Sequence, residues 1–140
     1  MDRTERLWLV TLIAIAVAFN ALTLAPLVPW QRWLVLGRPH VDRRVEIEIA
    51  DYTFRLPPEG VEVKAGEFVE FVATSRDVTY GLGAFRQDGT MVFQMQVLPG
   101  YENRLVWRFD APGVYDIRST EYSGPRHSEM FVDDAIRVLP

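Results

Sequence analysis

Val45-Glu46-Ile47-Glu48-Ile49 sets the period of the chain beyond residue 44. Three branched apolar residues alternate with two carboxylates. Only an extended strand, whose side chains point to opposite faces in turn, buries all three and leaves both charges in water. The same grammar repeats outward from this stretch. Val61 to Val63, Phe68 to Ala73, Val78 to Phe85, Met91 to Val97, Glu102 to Phe109, Val114 to Arg118 and Met130 to Val138 read as further strands. Turn chemistry divides them: Pro57-Pro58-Glu59-Gly60, Ala65-Gly66, Asp88-Gly89, Pro99-Gly100 and Ala111-Pro112-Gly113. Short strands divided this way predict an all-β sandwich or barrel. No internal repeat or low-complexity tract interrupts them.

Toward the N-terminus the period is lost. No charged residue occurs from Leu7 to Trp30. Leu7 to Val28 is about 22 residues, and a helix rising roughly 1.5 Å per residue over that length crosses a hydrocarbon layer of about 30 Å. This predicts a transmembrane helix. The competing reading is a cleaved signal peptide, with residues 1–6 as its charged leader and Thr23-Leu24-Ala25 as the cleavage site. The apolar run is long for a signal, Pro26 would directly follow the cut, and Trp8, Trp30 and Trp33 lie where interfacial aromatics belong. A retained anchor accounts for more of these features. Pro26, Pro29, Gly37 and Pro39 then break the helix, giving an anchor over residues 1–30, a linker over 31–44 and a β domain over 45–140. The arginine balance, Arg3 and Arg6 against Arg32, Arg38, Arg43 and Arg44, leans toward a cytoplasmic C-terminal side, but long translocated domains override that bias.

The 140 residues allow one ordinary domain, and 49% apolar with 24% charged residues is the composition of a folding chain. Net charge is -4; from Val41 onward the chain carries 11 basic and 17 acidic side chains. An acidic domain without clustered Lys and Arg is not a nucleic-acid binder. There is no cysteine, which excludes disulfides, thiolate metal sites and cysteine nucleophiles. His40 and His127 are the two histidines, and His40 falls in the linker, so a hydrolase with a positioned base is disfavoured.

The segment Ser119-Thr120-Glu121-Tyr122-Ser123-Gly124-Pro125-Arg126-His127-Ser128-Glu129-Met130 falls between the last two strands. It resembles the copper-binding loop of cytochrome c oxidase subunit II, a cupredoxin-like subunit of the haem-copper oxidase superfamily. In that family a cysteine is followed by glutamate at two, cysteine at four, then glycine, histidine at eight and methionine at eleven positions. Glu121, Gly124, His127 and Met130 keep those spacings, while Ser119 and Ser123 stand at both cysteine positions. Tyr80, in Asp77-Val78-Thr79-Tyr80-Gly81, corresponds to an earlier family histidine. Leu98-Pro99-Gly100 and Ala111-Pro112-Gly113-Val114-Tyr115 are similar to further landmarks, so the resemblance runs from about Val45 to Val138. It implies a Greek-key cupredoxin-like sandwich behind one N-terminal transmembrane helix.

A dinuclear copper centre needs two bridging thiolates to hold mixed-valence copper and stabilise Cu(I). A serine hydroxyl is hard and stays protonated near neutral pH. With Tyr80 in place of an imidazole, three of the family's five side-chain ligands are missing, and His127 and Met130 alone do not make an electron-transfer site. The degenerate positions are Tyr80, Ser119, Glu121, Ser123, His127 and Met130, and no catalytic, cofactor or metal role is expected at any of them. Glu121 in the family offers a backbone carbonyl, so its side chain needs no ligand role.

The pattern, with Tyr122 to Pro125 as a Tyr-Ser-Gly-Pro run, is similar to that of quinol oxidases and quinol-dependent nitric-oxide reductases. The resemblance implies a copper-free, non-catalytic subunit II on a prokaryotic cytoplasmic membrane, N-terminus inside and β domain outside. Its partners would be lipid and a polytopic haem-containing subunit I holding the haems and a metal, with quinol delivered through that partner. Cytochrome c docking is not expected, since no tryptophan-rich entry segment is present and Trp107, the one tryptophan of the domain, has a core position. Two other classes stay open: a free-standing anchored cupredoxin acting as a copper chaperone or sensor through His127 and Met130 with Tyr80 as an extra donor, and an adhesion or interaction module with no haem partner. Tyr80, Ser119, Ser123 and His127 are expected to converge in one polar cluster, because buried hydroxyls and imidazoles need partners. Glu129, Asp133 and Asp134 are expected to form a water-facing acidic rim.

Overall fold

The computed structural model describes residues 2–24 and 40–140. The expected end of the span at Val28, the linker residues Pro26, Pro29, Gly37 and Pro39, Arg32 and Arg38, and the interfacial Trp30 and Trp33 lie outside the described residues.

Helix α1 covers Arg3–Leu24. It starts in a reciprocal cap: the Glu5 amide donates to Asp2 Oδ1 and the Asp2 amide to Glu5 Oε2, each at 2.8 Å. Inside it, the side chains of Thr11, Asn20 and Thr23 donate to the carbonyls of Leu7, Ala16 and Phe19. Each of these side chains thereby gives a donor to the helix backbone, which suits a hydrocarbon surrounding. An 18-residue stretch of it has a mean hydropathy of 2.3, and the helix is long and apolar enough to cross a membrane.

The second unit, residues 40–140, has nine strands: β1 Arg43–Ala50, β2 Thr53–Arg55, β3 Val61–Lys64, β4 Phe68–Ser75, β5 Tyr80–Arg86, β6 Met91–Val97, β7 Asn103–Arg108, β8 Gly113–Arg118 and β9 Phe131–Leu139. They form one sheet in the order β2-β1-β4-β7 and another in the order β3-β9-β8-β5-β6. The chain crosses repeatedly between sheets, and β1 runs parallel to β4 and β3 parallel to β9, the other pairings being antiparallel. Every predicted strand is present with ends moved by a residue or two. The one missed is β2, and the reason is local: it is reached through Asp51-Tyr52, a two-residue turn with neither glycine nor asparagine.

The alternating pattern does what its period requires. Val45, Ile47 and Ile49 of β1 and Val69, Phe71 and Ala73 of β4 are buried. They face Leu82, Ala84, Phe93, Val97, Ile117, Ile136 and Val138 of the other sheet within one core. Its middle is aromatic: Phe71 lies 5.0 Å from Phe93, and Phe109 lies 4.9 Å from Tyr115, ring centre to ring centre. Trp107 is partly buried and packs against Phe93 at 5.6 Å, at the edge of the core and not within it as expected.

Register brings several loops to one end of the sandwich. Ile49 pairs with Ser75, Tyr80 with Val97 and Gly83 with Arg118. The β1–β2 turn, the β4–β5 loop, the β6–β7 turn and the β8–β9 loop therefore share that end.

Candidate functional site

The β8–β9 loop is closed at its base by the Ser119 amide donating to the Met130 carbonyl at 3.0 Å. Beyond Gly124 the chain makes a single 3-10 turn over His127–Glu129, with the His127 amide on the Gly124 carbonyl. Gly81 and Gly83 of β5 let the other limb come close. A Cβ at Gly81 would strike Thr120 and sit 2.7 Å from the Glu121 amide nitrogen, and one at Gly83 would meet the Thr120 methyl at 2.5 Å.

The two serines converge on one atom. The Ser119 and Ser123 hydroxyls both donate to the Glu121 carbonyl, at 3.1 and 3.0 Å. The Glu121 carboxylate turns away and accepts from Gln96 Nε2 at 3.1 Å. Met130 is buried, and His127 is half-buried, with its Nδ1 enclosed and without a hydrogen-bond partner among the described residues. Ser119, His127 and Met130 line an open depression of about 400 Å³ together with Arg118 and Asp133. The Tyr122 ring lies 5.9 Å from that of His127.

Tyr80 does not join this group, contrary to the single cluster expected from the sequence. It is fully buried, and its hydroxyl donates to Asp77 Oδ2 at 3.0 Å and accepts from the Tyr52 amide at 3.2 Å. A phenol is longer than an imidazole and carries its polar atom at the tip, so Tyr80 reaches past the loop to the β1–β2 turn. Burial first, then donation to Asp77, holds the phenol above its ordinary value, against the opposing Tyr52 amide. Burial also pushes Asp77 upward, but bonds from the Asp51 and Val78 amides, Tyr80 and Ser75 outweigh it and keep the carboxyl below its ordinary value.

Sequence reasoning missed Tyr52 and Asp51. Both have left-handed backbone, with φ of 59° and 47°. A type I′ hairpin turn needs positive φ at both central residues, and for a bulky residue such as Tyr this costs on the order of 1–3 kcal/mol. The Tyr52 ring meets Tyr80 edge-on at 6.0 Å and its hydroxyl donates to the Ser123 carbonyl at 3.3 Å. It therefore links the Tyr80 group to the loop. The pair of non-glycine residues at a turn was the available signal, and it is faint without the fold.

Of the acidic residues near the loop, Glu129 is paired with Arg126 at 3.0 Å and Asp134 accepts from Gln87 at 3.2 Å. Among the described residues no three His, Cys, Asp or Glu side chains come together as a metal-holding group. The residues present do not fit a thiolate-bridged copper pair, since hydroxyls stand at both sulfur positions and are hydrogen-bonded to the Glu121 carbonyl.

No family model matches the chain. Two relatives, each a cytochrome c oxidase subunit 2 from Thermus thermophilus, the second from a designated strain of that species, are 33% identical to it over 85 residues, which is 61% of this chain. The matched part covers 60% of the length of the first relative and 48% of the second. Among solved structures, auracyanin B aligns over 74% of this chain and 94% of its own at 14% identity, with a TM-score of 0.59. The periplasmic domain of subunit II of cytochrome oxidase from Bradyrhizobium japonicum aligns over 72% of this chain and 86% of its own, at 18% identity and a TM-score of 0.51. The fold of residues 40–140 is thus the cupredoxin-like sandwich, and the sequence similarity is to oxidase subunit II.

Proposed function

We propose, starting from a subunit II-like cupredoxin domain, that this chain is a copper-free, non-catalytic subunit II of a quinol-dependent haem-copper oxidoreductase. The enzyme it serves is a terminal oxygen reductase or a nitric-oxide reductase. α1 crosses the membrane from the inside, and the sandwich caps the catalytic haem subunit on the extracytoplasmic side. Electrons pass from quinol to the haems of that partner without visiting this chain. The domain boundaries proposed are an anchor to residue 30, a linker to 44 and the sandwich from 45.

The observation that carries this reading is the Glu121 carbonyl accepting both serine hydroxyls. A copper pair would require soft bridging donors at those two positions. Here the two hydroxyls are taken up in an internal, uncharged network on the loop's own backbone. The test is purification of the native complex in mild detergent. A polytopic haem subunit that copurifies and is reduced by quinol but not by cytochrome c supports the proposal; the absorption of a dinuclear copper centre in the chain overturns it.

A second reading has its own observation, the enclosed His127 Nδ1, unpartnered among the described residues, beside buried Met130. It makes the chain a free-standing anchored cupredoxin that binds a single copper ion. Titration of the full chain in detergent with Cu(I) separates the two: stoichiometric uptake abolished by His127→Ala favours the copper binder, and no uptake favours the cap.

A further inference from the structure

The β1–β2 turn is strained at Tyr52, which stands where a type I′ turn ordinarily has glycine after a residue such as Asp51. Backbone held in the left-handed region by bulky residues persists only where surrounding contacts over-determine it, and such places cluster where position matters. The contacts here run in two directions. Toward the β4–β5 loop, the Asp51 amide donates to Asp77 Oδ2 at 2.8 Å and the Tyr52 amide to the Tyr80 hydroxyl. Toward the β8–β9 loop, the Tyr52 hydroxyl donates to the Ser123 carbonyl, Arg126 Nη1 donates to Asp51 Oδ1 at 3.2 Å, and the Arg126 guanidinium lies 5.5 Å over the Tyr52 ring.

Gly124 completes the fit. Its φ is 136°, and a side chain there would run into the Tyr52 hydroxyl. The loop has therefore a glycine where the tyrosine tip lands, and an arginine two residues on that closes over the tyrosine face. Arg126 is held from its other side by Glu129.

We propose that the Asp51–Tyr52 turn is a latch, a pair of positioning residues that sets the conformation of the 119–130 loop from the opposite sheet. The turn is anchored through Asp77 and Tyr80, and it grips a loop belonging to the other sheet at Ser123, Gly124 and Arg126. The loop's shape, including the outward placement of Tyr122, follows from this grip and from the serine network, with no metal required. The inference does not depend on which complex the chain serves, because it concerns only contacts within residues 40–140.

Amide hydrogen exchange on the full chain in detergent micelles tests it. Tyr52→Asn keeps a residue suited to left-handed backbone while removing the ring, the hydroxyl bond and the cation stacking. The hydrogen-bonded loop amides of His127, Glu129 and Met130 are expected to exchange about 10-fold faster in this variant, equivalent to about 1.4 kcal/mol of lost local protection, with β4 and β8 amides unchanged. Tyr52→Phe and Arg126→Gln each remove a smaller part of the grip and are expected to give about 3-fold each. In combination they should fall short of the product of the two, because both release the same loop. Loop amides that exchange at the parent rate in all three variants overturn the proposal. So does acceleration of loop and sheet amides by the same factor, which marks a general loss of stability. If Tyr52→Asn does not fold, the two milder variants decide on the same criteria.

Discussion

Replacing Tyr80 by Phe removes one oxygen from the end of a fully buried ring and leaves the ring packed against Tyr52. Two bonds go with it: donation to Asp77 at 3.0 Å and acceptance from the Tyr52 amide at 3.2 Å. A bond to a charged group contributes about 1.5–3 kcal/mol, and Asp77 is open to water, which places this one at the low end. The stranded Tyr52 amide adds about 1 kcal/mol, and the desolvation no longer required of the hydroxyl returns roughly 0.5–1 kcal/mol. The balance is a loss of about 2 kcal/mol. With a urea slope of about 1–3 kcal/mol per molar, the unfolding midpoint falls by roughly 1 M. Near-UV circular dichroism of the full chain in detergent reads this transition. The pH dependence adds a second check. The depressed Asp77 value contributes stability that is present above the ordinary carboxyl value of 3.8 and lost as pH falls through the folded-state value. Tyr80→Phe removes part of that depression, so its cost is full near neutral pH and shrinks as pH drops below 3.8. A midpoint unchanged at neutral pH, or a cost that grows in acid, would refute the role given to this hydroxyl.

Gly81→Ala places a methyl against Thr120 and the Glu121 backbone, and over-packing of this kind costs about 1–3 kcal/mol. A thermal midpoint lowered by roughly 4–8 °C for each of those kcal/mol is expected in a calorimetric scan. Phe71→Ala empties the aromatic centre of the core and should cost about 3–5 kcal/mol, read as a lowered urea midpoint by circular dichroism. Asp116 is held below its ordinary value first by the Asp134 amide, against the effect of burial, and then by Arg118 and Gln87. Its contribution is present above 3.8 and lost below, so Asp116→Asn should flatten the fall of stability in acid, measured as urea midpoints across a pH series.

Much of the architecture was legible before any coordinates. Period-two alternation carries its own physics: Val45, Ile47 and Ile49 cannot be buried together in any other conformation, and glycine and proline pairs mark where strands must stop. The β8–β9 loop also stood out, because Glu121, Gly124, His127 and Met130 keep the spacing of the subunit II loop that this segment resembles. β2 was not legible, since its turn places Tyr52, a bulky residue that ordinarily avoids left-handed backbone, where glycine is usual.

What the chain determined by itself is composition, period and donor chemistry: an apolar helix, a β domain, and serine hydroxyls with no thiol anywhere in the sequence. Where those hydroxyls point was decided in three dimensions. Ser119 and Ser123 meet on the Glu121 carbonyl because the loop folds back on itself, while Tyr80 is drawn to Asp77 and to Tyr52 on a turn of the other sheet. Hydrogen bonds are short and directional, so which partner a buried polar atom takes depends on strand register and turn geometry, and neither is written in the residue type alone.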